Sequence, residues 1–225
     1  MVLSSNLESA FRHEKRRLFG KLPLLGSRRR IFTRFLVTAN GETRMRMGYV
    51  KGQSLDTLWA DLSSQEKKHI AQQLRKIVDN MRAAKPPPQL IGAYGTEIRD
   101  TRVYSTFHSP PCHNEEEFNN FLLSSLHSQT PPLVREAISR RLRTNHRIVL
   151  THCDLAPRNI LVEDGKITGL VDWEDSGWYP KYWEYVKFFQ RSADQDGRRY
   201  GKEIFAYLYH GELVDYTAMS KWQNP

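Results

Sequence analysis

The chain has 225 residues, with 34 Lys and Arg against 25 Asp and Glu, giving a formal net charge of +9 and a sequence pI near 9.6. Hydrophobic residues at 39% and aromatics at 11% exclude a disordered chain, and no apolar run is long enough for a transmembrane helix, so no membrane association is expected. The charge is concentrated at one end: residues 1–50 hold 11 basic and 3 acidic residues, while residues 51–225 hold 23 against 22. A high pI usually points to nucleic acid. A basic segment joined to a near-neutral domain does not, and no nucleic-acid partner is expected. Cys112 and Cys153 are too few for a disulfide scaffold, which makes a cytoplasmic, reducing setting the expectation. The charged run from Arg12 to Arg17 interrupts any secretory signal in residues 1–26.

Taken in chain order, residues 7–19 suit a short basic helix and Arg28-Arg29-Arg30 a solvated charge run. Ile31 to Val37 and Thr43 to Val50 read as two strands joined by a turn at Ala39-Asn40-Gly41. Lys51-Gly52-Gln53 breaks the second strand, and the chain then turns helical. Ser63-Ser64-Gln65-Glu66 is a capping box, and Ile70, Leu74, Ile77, Val78 and Met81 follow at helical spacing. Pro86-Pro87-Pro88 stops that helix and predicts a loop running to about residue 113. Asn114 with Glu117 starts a second helix, and a third is expected from Pro131-Pro132 to near Thr144. Ile148-Val149-Leu150 reads as a short buried strand. Two further helices, over about 180–193 and 199–210, are expected to close the domain with aromatic-rich faces.

The chemistry lies in Thr151-His152-Cys153-Asp154-Leu155-Ala156-Pro157-Arg158-Asn159-Ile160-Leu161-Val162 and its continuation to Val171-Asp172-Trp173-Glu174. Asp164-Gly165 is a two-residue hairpin turn between apolar runs, and a regular ladder from it places Asn159 opposite Leu170. Alternation then puts Asn159 and Asp172 on one face, to which Asp154 can return from the preceding loop. Two carboxylates and an amide suit phosphoryl transfer: oxygen donors to seat Mg²⁺, and a carboxylate to orient and deprotonate an attacking hydroxyl. Taken singly, each of the three could be an ordinary turn or cap residue; the spacing of the set favours function.

His152-x-Asp154-x4-Asn159 followed by Asp172 resembles the catalytic-loop and metal-aspartate motifs of the protein-kinase-like fold. The wording is closest to the aminoglycoside phosphotransferase and choline kinase-like branch. Val171-Asp172-Trp173-Glu174 and Gly177-Trp178-Tyr179-Pro180-x-Tyr182-Trp183-Glu184-Tyr185 resemble its fungal members. The segment from Met47 to Leu55 resembles the hinge between the lobes, and the match runs from about residue 44 to 190.

The resemblance implies an α+β, two-lobed fold with a reduced N-terminal β lobe (1–50) and a mainly helical C-terminal lobe (51–225). It implies ATP and Mg²⁺ as cofactors and a small-molecule hydroxyl as substrate. Asp154 would be the catalytic base, His152 would support its loop, and Asn159 and Asp172 would be the metal ligands. Met47, Gly48, Tyr49 and Val50 would contact the nucleotide at the hinge. Cys153 stands where these relatives usually have Gly. No Gly-rich turn followed by a strand precedes Gly48, and Lys15 and Lys21 are the only lysines before it. The alternative reading is therefore a catalytically impaired relative that binds a ligand or partner.

Three bland readings stand beside these. His108, Cys112, His113 and His127 read as loop and surface residues rather than a zinc site. Cys153 reads as a small buried residue rather than a nucleophile, and the aromatic set from Trp178 to Phe189 as mostly core. Glu174, Asp175 and Glu184 are candidates for contacting a cationic acceptor.

Overall fold

The computed structural model describes residues 49–86, 91–92, 97–101, 106–191 and 195–223, with 34–37 and 43–46 as backbone. The expected basic helix, the arginine run and the turn at Ala39-Asn40-Gly41 lie outside these residues, as do Met47 and Gly48.

Strands β1 (Arg34–Val37) and β2 (Thr43–Arg46) pair antiparallel, Arg34 opposite Arg46. They are followed by β3 (Gln53–Ser54) and a single helical turn, α1 (Leu55–Leu58). Helix α2 (Ser64–Arg82) starts where the capping box places it: Ser63 Oγ accepts from the Glu66 N–H, and the Glu66 carboxylate accepts from the Ser63 N–H at 2.8 Å. Its buried stripe is Ile70, Leu74, Val78 and Met81.

The predicted loop up to residue 113 contains a hairpin, β4 (Ile98–Thr101) with β5 (Thr106–Ser109). Its strands carry Arg, Asp, His and Ser, so no apolar alternation announced them. Helix α3 (Glu115–Ser124) is capped by Asn114, whose side chain accepts from the Glu117 N–H at 2.9 Å. Helix α4 spans Pro132–Arg141, with Pro131 at its N-cap.

Strand β6 (Ile148–Thr151) leads through one 3₁₀ turn (Pro157–Asn159) into the hairpin β7 (Ile160–Glu163) and β8 (Lys166–Leu170). Strand β9 (Gly177–Pro180) pairs with β6, Leu150 opposite Trp178. Helix α5 (Trp183–Arg191) follows, then two short helices, α6 (Gln195–Arg199) and α7 (Gly201–Ile204). The helix expected over 199–210 is not there. Within it Gly201–Ile204 is a single short helix between the last residue of α6 and the first of the long closing helix, α8 (His210–Ser220).

The core gathers around Trp183, whose ring meets Phe118 edge-on at 5.0 Å and Tyr216 at 5.3 Å between centroids. Trp178, Tyr179, Tyr182, Tyr185 and Phe188 are buried with it, as the core reading of this segment anticipated. His146 ties helices to that core: Nδ1 lies 2.7 Å from Glu115 on α3, and Nε2 lies 3.3 Å from Glu212 on α8. No helix among the described residues is long and apolar enough to cross a membrane.

Candidate active site

The segment between β6 and β7 folds on itself. Asn159 Nδ2 donates to the Asp154 carbonyl at 3.0 Å and to Asp154 Oδ2 at 2.9 Å. Both partners are acceptors, so the amide has only one sensible orientation, and Oδ1 is the oxygen it can offer a cation. Asp154 and Asn159 are buried, and the Arg158 guanidinium pairs with the same Asp154 Oδ2. His152, with none of its surface exposed, places Nε2 3.1 Å from the Val171 carbonyl. A carbonyl requires a donor, so Nε2 carries the proton and Nδ1 accepts the Asp154 N–H at 3.3 Å. The Trp173 ring covers His152 at 4.5 Å.

Val171 is the joint between the two halves of the motif. Its N–H donates to the Asn159 carbonyl at 2.9 Å, and its own carbonyl receives His152. Asp172, the next residue, is exposed and stands at φ +61°, a left-handed turn that Asp tolerates better than most residues. The backbone thus carries Asp172 out of the hairpin one residue after the Val171–Asn159 contact.

The expected ladder needs one correction. Val162 faces Ile167 as the turn predicts, but a bulge between Leu161 and Val162 shifts the register, so Ile160 rather than Asn159 faces Leu170. Asn159 instead ends the 3₁₀ turn. Thr168 is the extra residue, and its Oγ1 donates to the Lys51 carbonyl at 2.5 Å. Strand β3 then adds to the hairpin, Ser54 opposite Leu161, and Ser54 Oγ donates to the Arg158 carbonyl at 2.8 Å. Of the described hinge residues, Tyr49 is exposed and Val50 lies against Gly169 on β8, where a Cβ would stand 2.8 Å from Val50 Cγ1. Residues 50–54 are therefore tied to the β7–β8 hairpin.

Cys153 sits at φ +69°, the left-handed region in which Gly is unstrained. The glycine at this position in the resembled family thus has a backbone reason, and here a cysteine bears the strain. Glu184 on α5 holds the turn, accepting the His152 N–H at 2.6 Å and the Cys153 N–H at 3.0 Å. Burial pushes the Glu184 carboxyl up to about 7, against the opposing pull of those two N–H groups and Arg82. Burial likewise raises the Cys153 thiol well above its ordinary value, which fits packing and not nucleophilic attack.

The acidic candidates separate. Glu184 is buried and spent on the backbone, so it is not a substrate contact. Asp175 is also buried, accepting from Arg99 Nε at 2.6 Å and Thr101 Oγ1 at 2.9 Å. Glu174 remains exposed beside Arg99, at 3.1 Å. Two features escaped sequence reading. Arg158 follows Asp154 at i+4, a spacing visible in the chain but without meaning until the turn is known. Lys187 is buried with Asp100 at 2.7 Å, a pair formed across 87 positions of sequence that no local pattern signals.

A folded-back His-x-Asp-x4-Asn turn, an exposed Asp172 on a left-handed turn after it and a mainly helical body define a phosphotransferase of the α+β, protein-kinase-like fold. The model of the phosphotransferase enzyme family matches residues 30–222, and the chain belongs to that family. Among solved structures it resembles an apo thermostable mutant of the aminoglycoside phosphotransferase APH(4)-Ia, with 14% identity and a TM-score of 0.61, over 93% of this chain and 72% of that one. It also resembles APH(2'')-IIa in a ternary complex with streptomycin and ATP, at 15% identity and TM-score 0.61, over 98% and 72%. A third is ADP-bound APH(2'')-Ib, at 14% identity and TM-score 0.60, over 94% and 70%. At such identity the likeness is one of fold. No curated protein matches the chain.

Proposed function

We propose that this enzyme transfers the γ-phosphoryl group of Mg-ATP to a hydroxyl of a small molecule. The observation that carries the reading is the Asp154–Asn159 clamp, locked to Val171, the residue before Asp172. Asn159 Oδ1 and the Asp172 carboxylate are hard oxygen donors, the type Mg²⁺ takes, and these two residues would hold it. Bound there, the ion would neutralise charge on the phosphate oxygens. Asp154 orients the acceptor hydroxyl and takes its proton. His152 positions Asp154 through its backbone N–H and stays off the reacting atoms. Tyr49 and Val50, with Met47 and Gly48 before them, would border the nucleotide.

ATP is taken as donor because structures of similar fold hold ATP or AMP-PNP, while one holds GDP. An aminoglycoside-like polyol or amino-alcohol is the class of acceptor those structures suggest. Both cysteines are free thiols, which fits a cytoplasmic setting.

The test is a thermal-shift titration with Mg-ATP together with release of ADP. The reading expects a shift that Asp172→Ala abolishes, and turnover that Asp154→Asn abolishes while leaving the shift in place. No shift in the wild-type protein overturns it. A shift without turnover would mark the chain as a nucleotide-binding relative that does not catalyse.

A further inference from the structure

Arg158 is the one cation that touches Asp154 among the described residues, and its placement is unusual for a structural ion pair. The backbone of Arg158 is held firmly, in the 3₁₀ turn and by Ser54 Oγ on its carbonyl at 2.8 Å. The side chain is not held. Half of it is exposed, and Asp154 is its only hydrogen-bonding or ionic partner among the described residues. A guanidinium carries five donors in a planar fork, so most of its capacity faces solvent beside the catalytic turn.

The oxygen it touches matters too. Asp154 Oδ2 already accepts Asn159 Nδ2 at 2.9 Å, and Arg158 covers the same atom. A base whose oxygen is covered by two donors is a poor acceptor for a third proton. Only the arginine side of the pair is exposed and Asp154 is buried, so the guanidinium is free to swing into solvent but leaves the carboxylate when an anion of higher charge offers it more. A phosphate offers more charge than a carboxylate and matches the planar fork in two-point contact.

Resting on the phosphotransferase reading above, we infer that Arg158 is a catalytic residue that moves from Asp154 to the transferring phosphoryl group. With nucleotide absent it caps the base. With the triphosphate bound it moves to the γ-phosphate oxygens, which leaves Asp154 Oδ2 with Asn159 as its one remaining donor of the two and sets a positive charge where negative charge gathers. The acceptor oxygen then bonds to the γ-phosphorus as the bond from that phosphorus to the bridging oxygen breaks. ADP departs with that oxygen, and the hydroxyl proton passes to Asp154. Lys15 and Lys21 are the only lysines before Gly48.

The experiment compares affinities for Mg-AMP-PNP and Mg-ADP, measured by calorimetry, and hydrolysis of Mg-ATP with water as acceptor. Arg158→Ala and Arg158→Lys are set beside the full-length wild-type chain. The wild type is expected to prefer the triphosphate. Arg158→Ala should weaken AMP-PNP about tenfold while leaving ADP unchanged, erasing the preference. Hydrolysis should fall about 10²-fold, with partial recovery on adding guanidinium chloride at millimolar concentration. Arg158→Lys keeps the charge without the fork and should fall between. If both variants keep the wild-type preference and rate, Arg158 is a surface cap and the inference is wrong. If the wild type binds neither nucleotide, the phosphotransferase reading itself falls and takes the inference with it. Should Arg158→Ala misfold, Arg158→Lys decides alone.

Discussion

Glu184 accepts the backbone N–H of Cys153 at 3.0 Å, and so a carboxyl on α5 fixes the left-handed turn that precedes Asp154. The same carboxyl takes the His152 N–H. Its titration is therefore coupled to the shape of the catalytic turn. Burial raises it from an ordinary 4.5 to about 7, so the folded protein holds this proton more tightly than the unfolded chain does. The resulting stability is full below about pH 4.5 and is lost as pH rises through about 7. Relative to Glu184→Gln, the wild type should lose about 2–3 kcal/mol of unfolding free energy between pH 5 and pH 8. Urea titrations of both proteins at the two pH values measure it. Burial works against the charged form of His146, yet the Glu115 and Glu212 carboxylates outweigh it, so its shift is upward and its contribution has the same sign. It is present in both proteins and cancels in the comparison. Equal pH slopes would refute the assignment.

Cys153 provides a second test of that turn. At φ +69° any Cβ is strained by about 1–2 kcal/mol. Removing the buried thiol costs a similar amount in lost burial. Cys153→Gly should therefore fold within about 1 kcal/mol of wild type, despite deleting a fully buried side chain. Cys153→Val combines the strained φ with a β-branch and should lose roughly 2–3 kcal/mol. Chemical denaturation of the pair separates backbone strain from packing, and a better-tolerated valine would count against it.

The Lys187–Asp100 pair is buried on both sides, and Lys187 also donates to the Thr101 carbonyl at 2.6 Å. It pins the β4–β5 hairpin to α5. Asp100→Leu strands an ammonium in the core and should cost about 3–5 kcal/mol. The double variant Asp100→Leu with Lys187→Met should recover most of that, because an apolar replacement of similar volume removes the stranded charge. A double-mutant cycle by thermal or urea unfolding reads the coupling. Additive effects would mean that the pair contributes little.

Most of what was legible in the sequence was local. The capping box at Ser63, the Asn114 cap and the Asp164-Gly165 turn were readable because each is a short-range competition for backbone hydrogen bonds. The motif that carries the family resemblance was readable by spacing. What escaped depends on distant partners. The β4–β5 hairpin has its polar strands held through Asp100 and Arg99 by residues 75 or more positions away. The bulge that displaces Asn159 from the ladder involves the Thr168 hydroxyl on Lys51, 117 positions off. Closeness in sequence to Asp172 made Glu184 a candidate substrate contact, but its role is set by backbone groups 31 and 32 positions before it. The helix expected over 199–210 failed for a nearer reason: aromatic residues at helical spacing were core residues of short segments, Phe205 and Tyr209 among them.

The contact between Val50 and Gly169 bears on the nucleotide. Gly169 does not need glycine for its φ; it needs it because a Cβ would meet Val50 Cγ1 at 2.8 Å. Gly169→Ala should therefore push the segment after the hinge off β8. The expected loss is about 1–3 kcal/mol of stability, accompanied by weaker Mg-ATP binding. Val50→Ala opens space on the other side of the contact, so the double variant should be more stable than Gly169→Ala alone. A coupling of roughly 0.5–3 kcal/mol in the cycle is expected. Gly52→Ala is the control. Its φ of +132° strains any side chain, and its added Cβ would meet the Val162 carbonyl at 3.0 Å, so Val50→Ala should not rescue it. Rescue of Gly169→Ala and not of Gly52→Ala places the hinge directly on the catalytic hairpin. Failure of Val50→Ala to rescue either would separate the two elements.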